Sequence, residues 1–152
     1  MKNINFAIVG CGRIAQRHAE HIAGCGKLAA VCDIVPDRAK DLAKKHGCAA
    51  YFDFPAMLAG HPEIDVVSVC TPNARHAEHS ILALEAGKHA LCEKPMALTS
   101  GDCRSMIEAS RRAGRHLFIV KQNRFNPPIV ALKRVLDEGR LGRILDVQLN
   151  CF

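Results

Sequence analysis

Short runs of consecutive apolar residues alternate along this chain with longer stretches of helical period. The runs that read as strands are Ile4–Val9, Leu28–Asp33, Asp65–Cys70, His89–Cys92 and Leu117–Lys121, with a weaker one at Ala50–Phe52. Several are apolar at successive positions, as in Phe6-Ala7-Ile8-Val9. That pattern suits strands covered on both faces, which a parallel sheet requires. Helices are predicted near Arg13–Gly24, Pro36–His46, His76–Ala86 and Asp102–Ala113. In the third, Ala77, Ile81 and Leu84 share one face and Gly87 follows as a C-terminal cap, while Gly114 ends the fourth in the same way. Alternation at this pitch predicts an α/β fold with a doubly wound, mostly parallel sheet.

The pattern changes after about Lys121. Asn126-Pro127-Pro128 punctuates the chain, a helix-like stretch Ile129–Leu136 runs to Gly139, and Leu141-Gly142 gives a second turn signal. Ile144–Phe152 then alternates apolar and polar positions through Ile144, Leu145, Val147, Leu149 and Cys151. Such alternation predicts a half-exposed strand, usually of an antiparallel sheet. The expected organisation is a first domain over residues 1–123 and, over 124–152, the truncated start of a second, α+β domain.

Composition narrows the function classes. Of 152 residues 49% are hydrophobic and 24% charged, which provides for a buried core and argues against disorder. The formal net charge of +6 is scattered over Lys44-Lys45, Arg111-Arg112 and Lys133-Arg134, and one Tyr and no Trp leave little to stack on bases. A nucleic-acid partner is therefore not expected, and the excess charge leans modestly towards anionic small molecules such as nucleotides. Cys11, Cys25, Cys32, Cys48, Cys70, Cys92, Cys103 and Cys151 form no C-x-x-C pair, so neither a metal site nor a disulfide framework is expected. Free thiols favour a reducing cytoplasm. No leader-like segment appears, and no apolar run approaches the ~20 residues of a membrane span.

The first predicted strand runs straight into Gly10-Cys11-Gly12-Arg13-Ile14-Ala15, a G-x-G-x-x-A turn. In the dinucleotide-binding fingerprint of the Rossmann fold, the first glycine permits the tight turn and the second admits a pyrophosphate to the backbone. The small third residue keeps helix and strand close. The anion then rests on free amides at the start of the helix, around Arg13 and Ile14. Asp33 ends the second strand 21 residues beyond Gly12, where a ribose-binding acid is expected at roughly 20. Its carboxylate would accept from ribose hydroxyls and repel a 2′-phosphate, favouring NAD over NADP, although Arg38 lies close enough to adapt to a phosphate. The competing reading makes Asp33 a cap for the helix at Pro36.

Further polar clusters follow strands: Thr71-Pro72-Asn73, Glu93-Lys94-Pro95 and Gln122-Asn123-Arg124. With Gly10–Arg13 and Asp33-Ile34 they make five, and a parallel sheet would bring all five to one crevice at its carboxyl edge. Thr71, Pro72 and Asn73 can supply polar groups to a cofactor's ribose and pyrophosphate. His76 is either a further ligand or an ordinary surface histidine. Lys94, held out of helical conformation by Pro95, can hydrogen-bond a reacting oxygen and stabilise its developing charge. Glu93 would orient Lys94 or bind the nicotinamide ribose, and Gln122 joins the cofactor set. The bland alternative for Glu93-Lys94 is a surface ion pair.

Together these residues resemble the Gfo/Idh/MocA oxidoreductases. Gly10–Ala15, Asp33, Thr71-Pro72-Asn73 with His76, and Glu93-Lys94-Pro95 fall in that family's order and approximate spacing. The resemblance implies a dehydrogenase transferring hydride between NAD and a sugar, polyol or nucleotide-sugar carbon, with Lys94 catalytic. It also implies a second domain bearing a catalytic histidine, and a homo-oligomer, dimer or tetramer. Without that histidine the 152 residues are expected to bind cofactor but not to turn substrate over. Val120-Lys121-Gln122-Asn123-Arg124 is similar to the WlbA/WbpB group, which oxidises the 3-hydroxyl of UDP-N-acetylglucosaminuronic acid. That likeness implies a substrate contact for Lys121 and Arg124 besides Lys94. Two other outcomes remain open at this level: an NAD-dependent glycosidase on the same fold, and a non-catalytic nucleotide sensor.

Overall fold

A computed structural model describes residues 4–148 and 150. The chain divides into two compact units, residues 1–120 and 121–152. In the first, six parallel strands form one sheet in the order β3-β2-β1-β4-β5-β6. They are β1 (Ile4–Val9), β2 (Gly26–Cys32), β3 (Ala49–Tyr51), β4 (Val66–Val69), β5 (His89–Cys92) and β6 (Leu117–Ile119). The intervening helices are α1 (Arg13–Ile22), α2 (Pro36–His46), α3 (Phe54–Gly60), α4 (His76–Glu85) and α5 (Ser100–Ala113).

The consecutive apolar residues of the inner strands are buried on both sides, and the period-2 alternation sorts them. Ala7 and Val9 of β1 join a cluster with Phe54, Met57, Leu84 and Met106 from α3, α4 and α5. Ile8, between them, packs with Ala15, Ala19, Ile22 and Leu42 from α1 and α2. The sheet is thus the middle layer of three. Local signals set the helix ends: Pro36 opens α2, and Gly47 (φ +66) and Gly114 (φ +60) close α2 and α5 in the left-handed region.

Helix α3 is not marked in the hydrophobic pattern. Seven residues give too little length for a period to show, and only Phe54 and Met57 are buried. Its start is nevertheless encoded, because Asp53 Oδ1 accepts from Ala56 N at 2.8 Å and Pro55 occupies the first turn.

The second unit holds a 3-10 turn at Gln122–Phe125 and helix α6 (Pro127–Asp137). The strand expected at Ile144–Phe152 is not observed at Ile144–Gln148, which have no regular structure. An alternating segment becomes a strand only when a neighbour takes its amides and carbonyls, and among the described residues none pairs with it. Leu149, Cys151 and Phe152 lie outside the described residues. Among the described residues no helix is long and apolar enough to cross a membrane.

Candidate functional site

Strand order turns around between β1 and β4, since the chain builds outward to β3 and returns to β4 on the other side of β1. In open α/β sheets the crevice at such a point, beyond the carboxyl ends of the strands, is the ligand site. Four of the predicted clusters are fastened there by bonds that extend the sheet ladder. Gly10 N donates to Cys32 O (2.8 Å), Asp33 N to Tyr51 O (3.1 Å), Cys70 N to Val9 O (2.8 Å) and Glu93 N to Val69 O (3.0 Å).

In the glycine turn, Gly10 has φ +87, and a Cβ there would stand 2.7 Å from Cys70 C and Thr71 N. Glycine is therefore required both by conformation and by the close passage of the turn after β4. Gly12 is different. Its φ of −76 suits any residue, and a Cβ would meet nothing within 4 Å. It is the N-cap of α1, and no side chain bonds the helix start. The site thus keeps an open backbone cradle at a positive helix end, with Arg13 and Ile14 exposed beside it.

Asp33 is 8% exposed. Its Oδ2 accepts from Cys11 N (2.7 Å) and its Oδ1 from Val35 N (2.8 Å). The N-cap of α2 is Val35, so Asp33 braces the glycine turn instead of capping that helix. Burial, and then the charge of Asp33, push the Cys11 thiol up to about 12. Burial also raises Cys70 to about 12 and, with the charges of Asp53 and Asp33 adding, Cys32 to about 11. These thiols stay protonated and add no negative charge to the turn.

Beyond β4, Pro72 and Asn73 are exposed, Pro72 preceding and Asn73 opening a 3-10 turn at Asn73–Arg75. His76, expected either at the cofactor or on the surface, is 1% exposed. Its Nδ1 lies 2.7 Å from Pro95 O and its Nε2 2.9 Å from Thr71 O. The ring ties the loop after β4 to the loop after β5 and leaves no nitrogen for a ligand. The Thr71 hydroxyl is likewise engaged, 3.1 Å from His79 Nδ1. Burial holds His79 below the ordinary histidine value.

Beyond β5, Glu93 is 7% exposed while Lys94 projects from the surface. The Lys94–Pro95 peptide bond is cis. Glu93 Oε2 accepts from Lys94 N (3.1 Å), and Oε1 lies 2.9 Å from His18 Nε2. His18 Nδ1 is in turn 2.6 Å from Ser68 Oγ. Neither His18 nor Ser68 stands out in the sequence. Glu93 and Lys94 therefore do not form a surface ion pair: the carboxylate turns inward and the ammonium outward. Lys121, Gln122 and Arg124 fall in the second unit, where all three are exposed. Among the described residues no group of three or more His, Cys, Asp or Glu side chains could hold a metal ion.

A model of the oxidoreductase family with an NAD-binding Rossmann fold, GFO_IDH_MocA, matches residues 4–121. D-glucoside 3-dehydrogenase of Escherichia coli (strain K12) is 38% identical over 144 residues, 93% of this chain and 41% of that protein. Inositol 2-dehydrogenase 2 of Saccharopolyspora erythraea is 36% identical over 146 residues, covering 93% and 43%. The WlbA dehydrogenase of Chromobacterium violaceum, solved with NADH and UDP-GlcNAcA, superposes with TM-score 0.89 at 41% identity, covering 94% of this chain and 42% of that one. This chain spans less than half the length of each. It belongs to the GFO_IDH_MocA oxidoreductase family.

Proposed function

We propose that this chain is the NAD-binding part of a dehydrogenase that moves hydride between the cofactor and a hydroxyl-bearing carbon of a sugar or nucleotide sugar. One observation carries the reading. The uncapped helix start behind Gly12 and the outward-facing Lys94 stand on the same edge of the sheet, at the turn-around between β1 and β4.

The residues fit a dinucleotide. The space over Gly12 admits a pyrophosphate to the backbone, and the amides of Arg13 and Ile14 receive it at the positive end of α1. Each Asp33 oxygen holds one amide and retains lone pairs for ribose hydroxyls, which favours NAD over NADP. Pro72, Asn73 and Glu93, on the same edge, would supply further contacts to the dinucleotide. When bound, the nicotinamide supplies the hydride-transfer chemistry. Lys94 donates a hydrogen bond from Nζ to the reacting oxygen and stabilises the charge that develops there.

The relatives named are dehydrogenases of a glucoside, an inositol and, with UDP-GlcNAcA bound, a WlbA enzyme. They favour neither a glycosidase nor a sensor. UDP-N-acetylglucosaminuronic acid is the substrate we favour here, with Lys121 and Arg124 as its charge partners. A reducing cytoplasm is the compartment we favour, a reading that the seven free cysteines among the described residues support.

Fluorescence titration of the chain with NADH and NADPH tests the cofactor reading. Saturable binding that prefers NADH is expected, and binding of neither overturns it. In a catalytically active polypeptide carrying these residues, Lys94→Met should lower kcat by about 10²-fold or more while NADH affinity stays near wild type. Retained turnover would remove Lys94 from the reaction.

A further inference from the structure

His18 lies on the inward face of α1, three residues beyond Ala15 and one before Ala19, both of which are buried. Its side chain is 11% exposed. It does not pack there as a filler, because each ring nitrogen meets a polar atom far off in sequence. Nδ1 is 2.6 Å from Ser68 Oγ on β4, a residue with no exposure, and Nε2 is 2.9 Å from Glu93 Oε1 beyond β5. Glu93 passes the connection on, through Oε2, to the backbone N–H of Lys94. One unbroken chain of hydrogen bonds thus runs from the middle of the sheet, across α1, to the turn that presents Lys94.

The proton directions along this chain are mutually consistent. The Lys94 amide can only donate, so Glu93 Oε2 accepts. A carboxylate accepts at Oε1 as well, which puts a proton on His18 Nε2. In the neutral ring this tautomer leaves Nδ1 to accept from the Ser68 hydroxyl. The Ser68 oxygen remains an acceptor for the Cys70 thiol at 3.9 Å, which burial keeps protonated. Every group has a role, and reversing the histidine would set a lone pair against the carboxylate.

We infer that His18 is a positioning residue. Its Nε2–H holds the Glu93 carboxylate against the Lys94 amide, and so sets where Glu93 and Lys94 stand relative to the cofactor. The inference deepens the proposed function and rests on its assignment of Glu93 and Lys94 to the cofactor side of the site.

Two measurements test it. Long-range 1H–15N NMR of the ring nitrogens should show His18 protonated at Nε2, and an Nε2 without a proton would overturn the inference. This reading does not depend on cofactor binding. The second measurement is NADH titration of His18→Leu and His18→Gln, with folding checked by circular dichroism. Losing a hydrogen bond to a carboxylate should weaken binding about tenfold in His18→Leu. Glutamine can still donate to Glu93, and His18→Gln should stay within about threefold of wild type. Wild-type affinity in His18→Leu, or equal weakening in both variants, would show that the ring only fills space. If the unaltered chain binds no NADH, the proposed function fails, and the ring-nitrogen experiment alone decides His18.

Discussion

Gly10 and Gly12 belong to one motif but differ in what they cannot tolerate. Gly10 has φ +87 and backbone atoms 2.7 Å from where a Cβ would sit. Gly10→Ala should therefore destabilise the chain by about 2 kcal/mol or more in urea denaturation. Gly12 has an ordinary φ and open space around it, so Gly12→Ala should leave the denaturation midpoint nearly unchanged. Its methyl group would occupy the cradle instead, and NADH affinity should fall by about tenfold or more, about 1.4 kcal/mol. Equal stability losses in the two variants would contradict this division of labour. The sequence carries the motif but not this distinction, which depends on the turn after β4 passing under Gly10. The same limit applies to the histidines. His76 is visible as a helix-start residue, but its burial against Thr71 O and Pro95 O is not. His18 reads as one more polar residue on α1, because its partners lie 50 and 75 positions away.

Elements were legible where a pattern could repeat. The bounds of β1, α2 and β5 agree with the hydrophobic pattern to the residue, helped at α2 by Pro36 and Gly47. Pattern reading failed in two opposite ways elsewhere. Helix α3 is too short to show a period although its cap is plain, and Ile144–Gln148 show a period without a partner strand among the described residues. The first failure makes a prediction. If α3 depends on its cap rather than on its length, Asp53→Ala should cost about 1 kcal/mol, measured by denaturation. Asp53→Asn should recover most of that, since an amide oxygen can still accept from Ala56 N. An Ala variant as stable as wild type would mean that burial of Phe54 and Met57 alone keeps the helix.

For the whole molecule, half-buried histidines and buried thiols, titrating on opposite sides of neutrality, set a window of stability. Burial holds His79 below its ordinary value, and burial with His116 and Arg115 does the same to His89. Unfolded, each binds its proton near pH 6.5. As pH falls below that point the unfolded state takes up protons first, so stability declines until the folded values are passed. At the alkaline side the same rule acts through thiols. Burial raises Cys11 and Cys70 to about 12 and Cys32 and Cys92 to about 11, from 9.0. The unfolded chain loses these protons first, so stability also declines as pH rises above about 9. Denaturation midpoints from pH 5 to pH 10 should trace a dome with a plateau between about 6.5 and 9. His79→Gln should flatten the acid limb and leave the alkaline limb in place. Thiol labelling checks the alkaline limb independently, because the thiolate is the reactive form. Among the described cysteines, exposed Cys25 should react with iodoacetamide first, and Cys11, Cys32, Cys70 and Cys92 only on unfolding. Fast labelling of those four in the native chain at pH 8 would mean that the interior around the glycine turn opens far more readily than its packing indicates.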